Sequence, residues 1–262
     1  MVFQNRMMAV GGLLAAGSVL CVLLSSAQEP ELPFSHGEKL RYAVQWRLFP
    51  AGHAELFLEK DGKQAGRWKA TAKAESTGYI ANLYKVEDEY QSTFHNPTFC
   101  SEGIHKVIHE GERHREVSLR FDQSSGMALL RERDTASDAP PRQEQFSIPA
   151  CVHDVLSALY YVRTQPLHVG EDFEIFLNDG SRTAQVRVEV QAREEIQTEI
   201  GMFPTIRVEP NVFSANLFKE KGRMFVWFSD DDNRLPVQLK VQTPAGTITA
   251  SLIGIDRWDI AP

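Results

Sequence analysis

The sequence lacks the short motifs that mark the common enzyme chemistries. It has no Gly-x-Ser-x-Gly elbow for a nucleophilic serine, no phosphate-binding P-loop and no glycine fingerprint for a dinucleotide. Basic patches with interleaved aromatic residues are also absent, and the formal net charge is −7 at pH 7. These absences argue against nucleic acid as a partner. No catalytic residue stands out, so enzymatic activity stays uncertain and a non-enzymatic role is favoured.

Long apolar runs are confined to the start of the chain. Arg6 precedes residues 7–24, which are apolar or small, and residues 25–27 place small side chains at positions −3 and −1 before Gln28. This pattern predicts a signal peptide over residues 1–27, cleaved after Ala27. An uncleaved anchor is the alternative, because the apolar run approaches the length of a spanning helix. We expect a periplasmic or extracellular chain with no transmembrane segment after cleavage.

Cysteine is scarce, with three in 262 residues. Cys21 lies in the leader after Leu20, whereas lipidation requires a small residue at that preceding position. The remaining pair, Cys100 and Cys151, predicts a disulfide if the chain is exported. Two free buried thiols are one alternative, and a reactive thiol with His153 as its partner is another.

Alternation of apolar and polar residues recurs along the rest of the chain. Residues 40–48 carry an apolar side chain at every second position, including Leu40 and Val44. Further alternating runs, each bounded by turn residues, cover residues 68–74, 117–121, 186–190, 237–241 and 248–252. Many short strands of this kind predict a mainly β fold, an antiparallel meander that forms an open barrel or a two-sheet sandwich.

One segment has helical spacing instead. Apolar residues recur three and four positions apart between Val152 and Val162, and Pro166 follows, so we predict one helix near residues 152–164. Residues 134–145 are polar and contain two prolines, which predicts a surface loop. The expected disulfide spans this loop. We therefore expect one β-rich domain over residues 28–262, with two sheet-forming halves (about 34–133 and 167–258) joined by the loop and the helix.

Two polar clusters invite a metal but fit ordinary turns better. His105, His109 and His114 would have to meet at tetrahedral distances to bind zinc, whereas a solvated hairpin explains them without a metal. Residues 230–233 (Asp-Asp-Asp-Asn) lack the alternation and the glycine of a calcium-binding EF-hand loop, and short side chains of this kind are typical of turns. We expect neither a metal nor a cofactor.

Aromatic residues on the predicted strands are the candidate ligand-binding residues. They are Tyr42, Trp46, Trp68 and Trp227. If the faces that carry them line a barrel interior, they would form an apolar cavity for a lipid-like ligand. Ordinary core packing is the alternative.

Three segments, in order, carry a family resemblance. Residues 34–42 (Phe-Ser-His-Gly-Glu-Lys-Leu-Arg-Tyr) are followed by Trp46 and by Ala-Gly-His-Ala at 51–54. The helical segment 154–163 comes next, and Met-Phe-Val-Trp-Phe-Ser-Asp-Asp at 224–231 precedes Arg-Leu-Pro-Val at 234–237. Together they resemble the domain-of-unknown-function 3108 family over about residues 34–255. The resemblance implies a β-rich envelope or periplasmic protein, and it supplies no activity and no catalytic residues.

Three functions remain open at this point. The first is non-enzymatic binding of an apolar or amphipathic ligand, or of an envelope partner, in or on the β structure. The second is an assembly factor whose partner docks along a sheet edge. The third is a hydrolase with a site assembled from distant residues, which requires a cleft with convergent polar groups.

Overall fold

The computed structural model describes residues 32–34, 37–62, 64–180, 182–215, 217 and 221–258. The predicted signal peptide at residues 1–27 lies outside the described residues. The chain is mostly strand, as predicted, with two helices among the described residues. The strands are β1 (Gly37–Trp46), β2 (Phe49–Lys60), β3 (Arg67–Ser76), β4 (Glu87–His95), β5 (Ser101–Glu110), β6 (Arg113–Asp122), β7 (Met127–Asp134), β8 (Arg142–Ser147), β9 (Val152–His153), β10 (Asp172–Asn178), β11 (Thr183–Thr198), β12 (Gly201–Pro210), β13 (Arg223–Ser229), β14 (Pro236–Thr243) and β15 (Gly246–Trp258). The helices are α1 (Gly78–Leu83) and α2 (Val155–Arg163).

All fifteen strands belong to one sheet, in the order β8-β7-β6-β5-β4-β3-β2-β1-β15-β14-β13-β12-β11-β10-β9. The chain starts in the middle at β1 and meanders outward to β8. It then crosses to the opposite edge at β9 and meanders back until β15 pairs with β1. Neighbouring strands are antiparallel except β9 and β10, which are parallel and are connected through α2.

The two edges of the sheet approach each other without pairing. Inner-face residues of β5 to β7, such as Ile104 and Leu119, form one core cluster with Val152 of β9 and Phe176 of β10. The Lys106 ammonium on β5 also donates a hydrogen bond to the Asp179 carbonyl after β10, at 2.9 Å. The sheet is thus curled into an open barrel-like form, and the open-barrel alternative of the predicted antiparallel meander is confirmed.

Apolar alternation decides which face of the sheet points inward. Leu40 and Tyr42 on β1, together with Leu56 and Leu58 on β2, are buried in the largest core cluster. The outer face of the same two strands carries charged residues that pair with each other, as Lys39 does with Glu55 at 2.7 Å. Because successive side chains of a strand point to opposite faces, this alternation fixes both faces at once.

Helix α2 lies on the inner face of the curled sheet. Its residues Leu156 and Tyr160 belong to one core cluster, and Ala158 and Val162 belong to a second. The predicted helix is confirmed, but its first two residues, Val152 and His153, form β9 instead. The reason is local, because Asp154 caps the helix with an extended backbone and so the helix cannot begin earlier.

The connection between the two halves differs in part from its prediction. The predicted surface loop over residues 134–145 is shorter in the structure, because its last four residues, 142–145, belong to the edge strand β8, which pairs with β7. Cys100 and Cys151 form the predicted disulfide, with their Cα atoms 4.8 Å apart. This bond joins the segment before β5 to the segment before β9. Residues from Leu32 onward form one compact unit.

Candidate ligand cavity

Two apolar cavities lie on the inner face, on either side of α2. The first chamber, about 280 Å³, is bounded by α2 and by β1 to β4, β14 and β15. The second chamber, about 250 Å³, lies between α2 and β10 to β14. Leu156, Leu159 and Leu239 line both chambers and therefore form the partition between them. The walls of the second chamber are formed by the apolar residues Val155, Leu156, Ala158, Leu159, Val162, Ile175, Leu177, Val188, Val208, Pro210, Val212, Met224, Val226, Phe228 and Leu239.

Small side chains create the first chamber. Ala54, Ala72, Ala74 and Ala250 line it, on three strands of the inner face. Further along β2 the same face carries Leu56 and Leu58, which are buried in the core. Neighbouring positions on the same face carry leucine, so the smaller alanine side chains leave space that the facing helix does not fill. Protein interiors are close-packed and rarely keep such space.

Two acidic residues line the polar margin of the first chamber, Asp88 and Glu55, and Glu55 is paired with Lys39 at 2.7 Å. Asp88 pairs with Ala74 across β3 and β4 and lines the chamber. Burial raises the pKa of its carboxyl, although the His109 amide donates a hydrogen bond to it at 2.9 Å. Tyr90 lies on the same strand, and burial raises its pKa to about 12. The chamber therefore combines apolar walls with a carboxyl group and a phenol.

The beginning of α2 is held by a buried carboxylate. Asp154 is fully buried and accepts hydrogen bonds from the Leu156 and Ser157 amides at 2.8 and 3.1 Å. The Ser92 and Ser101 hydroxyls also donate to it, each at 2.5 Å. The helix is thus capped and bonded to β4 and β5 through a single side chain.

The end of α2 is held by a buried ion pair. The Arg163 guanidinium donates to both carboxylate oxygens of Glu38, and both side chains are essentially inaccessible to solvent. It also donates to the Asn233 carbonyl at 3.1 Å and lies over the rings of Phe34 and Tyr160, 4.8 and 5.2 Å from their centroids. Burial raises the pKa of Tyr160, and the Glu38 charge adds to that effect. With both ends anchored, α2 stays between the chambers.

The four aromatic candidates do not form one site. Tyr42 lines the first chamber, and its hydroxyl donates to the Pro236 carbonyl at 2.8 Å. Trp68 is buried in the core cluster and packs edge-on against Phe34, with ring centroids 5.7 Å apart. Of the two, only Tyr42 reaches the space that a ligand could occupy.

The other two aromatic candidates line neither chamber. Trp227 lies on the face of β13 opposite Val226 and Phe228, where its indole N–H donates to Glu194 at 2.8 Å and Lys240 lies over its ring. Trp46 is half-buried at the end of β1, beneath the Arg47 guanidinium. Alternation in the sequence indicates which residues share one face of a strand. The curl of the sheet decides what packs against that face.

The histidine cluster and the acidic cluster lie in or beside hairpin turns. His109 and His114 are cross-strand neighbours in the β5–β6 hairpin with ring centroids 5.0 Å apart, and His105 bonds to the Ser118 hydroxyl at 3.0 Å. Within the described residues no group of three histidine, cysteine or acidic side chains is placed to hold a metal ion. Asp231 accepts bonds from the Asn233 and Arg234 amides and so closes the turn at residues 230–233.

Sequence reasoning missed the residues that shape the chambers. The alanines of the first chamber and Leu159 of α2 carry no polar signal, and each alone fits ordinary core packing. A signal existed on β3, where Ala70, Ala72 and Ala74 follow Trp68 on one face. A run of small residues on an inward face indicates either that a neighbouring element packs closely against the strand or that a cavity lies beside it.

No helix among the described residues is long and apolar enough to cross a membrane. Comparison with curated proteins gives no match. The structure is similar to the β-barrel-like protein of domain of unknown function DUF1849 from Brucella abortus, with a TM-score of 0.57 at 7% identity, covering 86% of this chain and 98% of that one. At this identity the likeness shows the fold alone.

Two further solved structures have lower scores. One is from Bacteroides fragilis and is described as exported, with a YmcC-like fold; it has a TM-score of 0.38 at 8% identity and covers 84% of this chain and 96% of that one. The other is a hypothetical protein from Chlamydia trachomatis, with a TM-score of 0.28 at 9% identity over 85% of this chain and 89% of that one. Residues 41–253 match the family described as protein of unknown function DUF3108, and the chain belongs to that family.

Proposed function

We propose that this protein is an exported, non-enzymatic protein that binds an apolar or amphipathic molecule inside its curled sheet. The observation that carries the proposal is the pair of apolar chambers beside α2, of about 280 and 250 Å³. A dry cavity of about 150 Å³ binds a benzene molecule. By that ratio each chamber holds an apolar group of about ten carbon atoms.

The first chamber supports an amphipathic ligand more than a purely apolar one. Asp88 and the Tyr90 ring line it together with the alanine wall. A ligand with a polar group can hydrogen-bond Asp88 while its apolar part contacts Ala54 and Ala72. Pockets that combine apolar walls with a few placed polar groups are typical of small-molecule sites.

Two features support export. The chain begins with the pattern of a cleavable signal peptide, and the Cys100–Cys151 pair forms a disulfide. Disulfides persist outside the reducing cytoplasm, so both features favour the periplasm or the cell exterior.

The test fills the first chamber without touching the anchors of α2. The double variant A72L/A250L places larger side chains in the chamber, and A43L places the same side chain on the opposite face of β1. The probe is N-phenyl-1-naphthylamine, whose fluorescence rises in apolar sites, titrated into delipidated protein. We expect A72L/A250L to weaken binding about tenfold or more, equivalent to about 1.4 kcal/mol. The control A43L should bind as the wild type does.

Native mass spectrometry of protein purified gently from the envelope provides an independent readout. A co-purifying amphiphile in stoichiometric amount supports the proposal. A bare wild-type chain that also binds no probe would refute it, as would a probe affinity that A72L/A250L leaves unchanged. Thermal unfolding of both variants checks that they are folded.

A second candidate function is partner docking at one end of the sheet. Leu48 and Phe49, at the tip of the β1–β2 hairpin, are 89% and 61% exposed, and Tyr79 and Leu83 of α1 are also exposed. Exposed apolar residues that group together mark interaction surfaces. Loss of a specific cross-linked partner in the variant L48S/F49S, with probe binding intact, would favour docking over ligand binding.

A further inference from the structure

A groove of about 1160 Å³ runs over the outer face of β3 to β7. Its side chains alternate along each strand with buried ones; Lys69, for example, is followed by buried Ala70, and Arg120 is flanked by buried Leu119 and Phe121. The groove is therefore on the face of the sheet opposite the chambers, and ligand binding in the chambers does not involve it.

The groove is positively charged in a chain of net charge −7. Its cationic residues are Arg67, Lys69, Arg120 and Arg131, against the two acids Glu102 and Asp122. Two of these cations also pair with acids outside the lining, Lys69 with Glu59 at 3.2 Å and Arg67 with Asp61 at 3.3 Å. Glu102 is already engaged by Arg67 and by His95, each at 2.7 Å. On the β6–β7 side, Arg120 and Arg131 face the single acid Asp122, whose carboxylate accepts hydrogen bonds from the Ser124 hydroxyl and the Ser125 amide, so that side keeps a net positive charge.

The two arginines on β6 and β7 carry this charge. Within the described part of the chain, the guanidinium groups of Arg120 and Arg131 have no hydrogen-bond or ion-pair partner, and both side chains are exposed. Arg120 pairs with Leu129 and Arg131 pairs with Ser118, so the two arginines are diagonal neighbours on one face. Such neighbours lie roughly 7–8 Å apart, close enough for two guanidinium groups to bind one oxyanion or two adjacent ones.

The register also shows the length of the groove. Lys69 pairs with Thr93, Thr93 with Gly103, and Gly103 with Arg120. At about 4.8 Å per strand, Lys69 and Arg120 are roughly 14 Å apart, with the small residues Thr93 and Gly103 between them. Cations at both ends of a floor without bulky side chains fit an extended ligand that carries several negative charges.

We propose that this groove binds a linear polymer whose repeating units carry phosphate or carboxylate groups. Arginine forks match both groups in a bidentate geometry. At the far end Lys69 is held by Glu59 at 3.2 Å, and an exposed pair of this kind is weak enough for the ammonium to turn to a ligand. A narrow polymer chain can reach the floor of the groove at Thr93 and Gly103, whereas a flat bilayer surface contacts only the rim of the groove. The two polymer chemistries share the same recognition and are separated by experiment.

The experiment measures binding of two labelled probes, inorganic polyphosphate and polygalacturonate, by fluorescence anisotropy. The test variant is R120Q/R131Q. The control R113Q/R133Q removes two arginines from the same two strands but outside the groove, so both variants change the net charge equally. We expect the wild type to bind at least one probe at about 50 mM salt and more weakly at about 300 mM, because ionic screening is stronger there. R120Q/R131Q should bind about tenfold more weakly, and the control should stay within about twofold.

Each outcome decides the inference. Binding of polyphosphate alone identifies phosphate as the recognised group, and binding of polygalacturonate alone identifies carboxylate. Absence of binding to both probes at low salt overturns the proposal, as does an equal loss in the control variant, which would indicate diffuse charge. Arginine-dependent binding to phosphatidylglycerol vesicles without binding to either polymer also overturns it. Unchanged N-phenyl-1-naphthylamine affinity in R120Q/R131Q keeps this test separate from that of the chambers.

Discussion

Replacing Glu38 by leucine should destabilise the protein strongly, because it leaves the Arg163 guanidinium buried without its counter-ion. In the wild type, Arg163 donates two hydrogen bonds to Glu38 and one to the Asn233 carbonyl. Arginine stays charged at all accessible pH values. After the substitution, the Asn233 carbonyl and the faces of the Phe34 and Tyr160 rings are the remaining favourable contacts of the charge.

The size of the effect follows from the burial of the pair. Both side chains are at most 1% exposed, so water cannot replace the lost partner. Breaking a buried pair by removing one partner costs about 3–5 kcal/mol, and we expect E38L to fall in this range. The double variant E38L/R163M removes both charges and keeps apolar volume. It should lie within about 2 kcal/mol of the wild type, because a buried pair contributes little net stability over an apolar replacement.

Urea denaturation of the wild type, E38L, R163M and E38L/R163M gives the four corners of a double-mutant cycle. The surface pair Lys39–Glu55 is the matched control, since its side chains are partly exposed and exposed pairs contribute about 1 kcal/mol or less. If E38L costs less than about 1 kcal/mol, or if the two single effects simply add in the double variant, the buried pair does not hold the end of α2 as argued.

Three further predictions concern the beginning of α2 and its surroundings. Reducing the Cys100–Cys151 disulfide should lower the free energy of unfolding by about 4 kcal/mol in the chain-entropy account, because the bond spans 51 residues; melting curves with and without reductant measure this, and an unchanged midpoint would contradict it. The variant D154A loses the helix cap and leaves the Ser92 hydroxyl without its acceptor, so it should cost about 2–4 kcal/mol in urea titration, whereas S92A alone should cost less than half of that. Burial lowers the pKa of His153 below its ordinary value of 6.5, so between the folded pKa and about pH 6.5 the unfolded chain binds more protons there than the folded one. Wild-type stability should therefore fall as the pH drops from about 6.5 to the folded pKa, below which both states are protonated and the loss from this group is complete. The variant H153F should lack that part of the pH dependence in urea titrations at a series of pH values.

Regular elements could be predicted because their signals are local. The alternation over residues 40–48 predicted β1, which is confirmed as far as Trp46, while residues 47 and 48 form the hairpin turn. The spacing from Val155 to Val162 predicted α2, which is confirmed. The edge strand β8 was missed, because residues 142–147 are polar apart from Phe146 and mostly exposed, and a single apolar residue gives no alternation. Its strand conformation comes from pairing with β7, and no property of its own residues reveals that partner.

The candidate site was predicted only in outline. Tyr42 and Trp227 look equivalent in sequence, since both are aromatic residues within alternating strands. The structure places Tyr42 at the first chamber and Trp227 on the opposite face, against Glu194 and Lys240. Both faces of β13 are covered, so its residues are buried almost without alternation and the inward side cannot be identified from the sequence.

The sequence by itself determined the strand and helix periodicities, the cysteine pair and the family. These follow from side-chain geometry and composition within short stretches of chain. Only the tertiary structure decided that β1 pairs with β15, more than 200 residues away, that the sheet curls so that its edges share a core, and that α2 lies inside. The chambers and the outer groove depend on those long-range contacts, because each is formed by strands that are distant in the sequence. The order of those strands in the sheet is set by the packing of the whole chain.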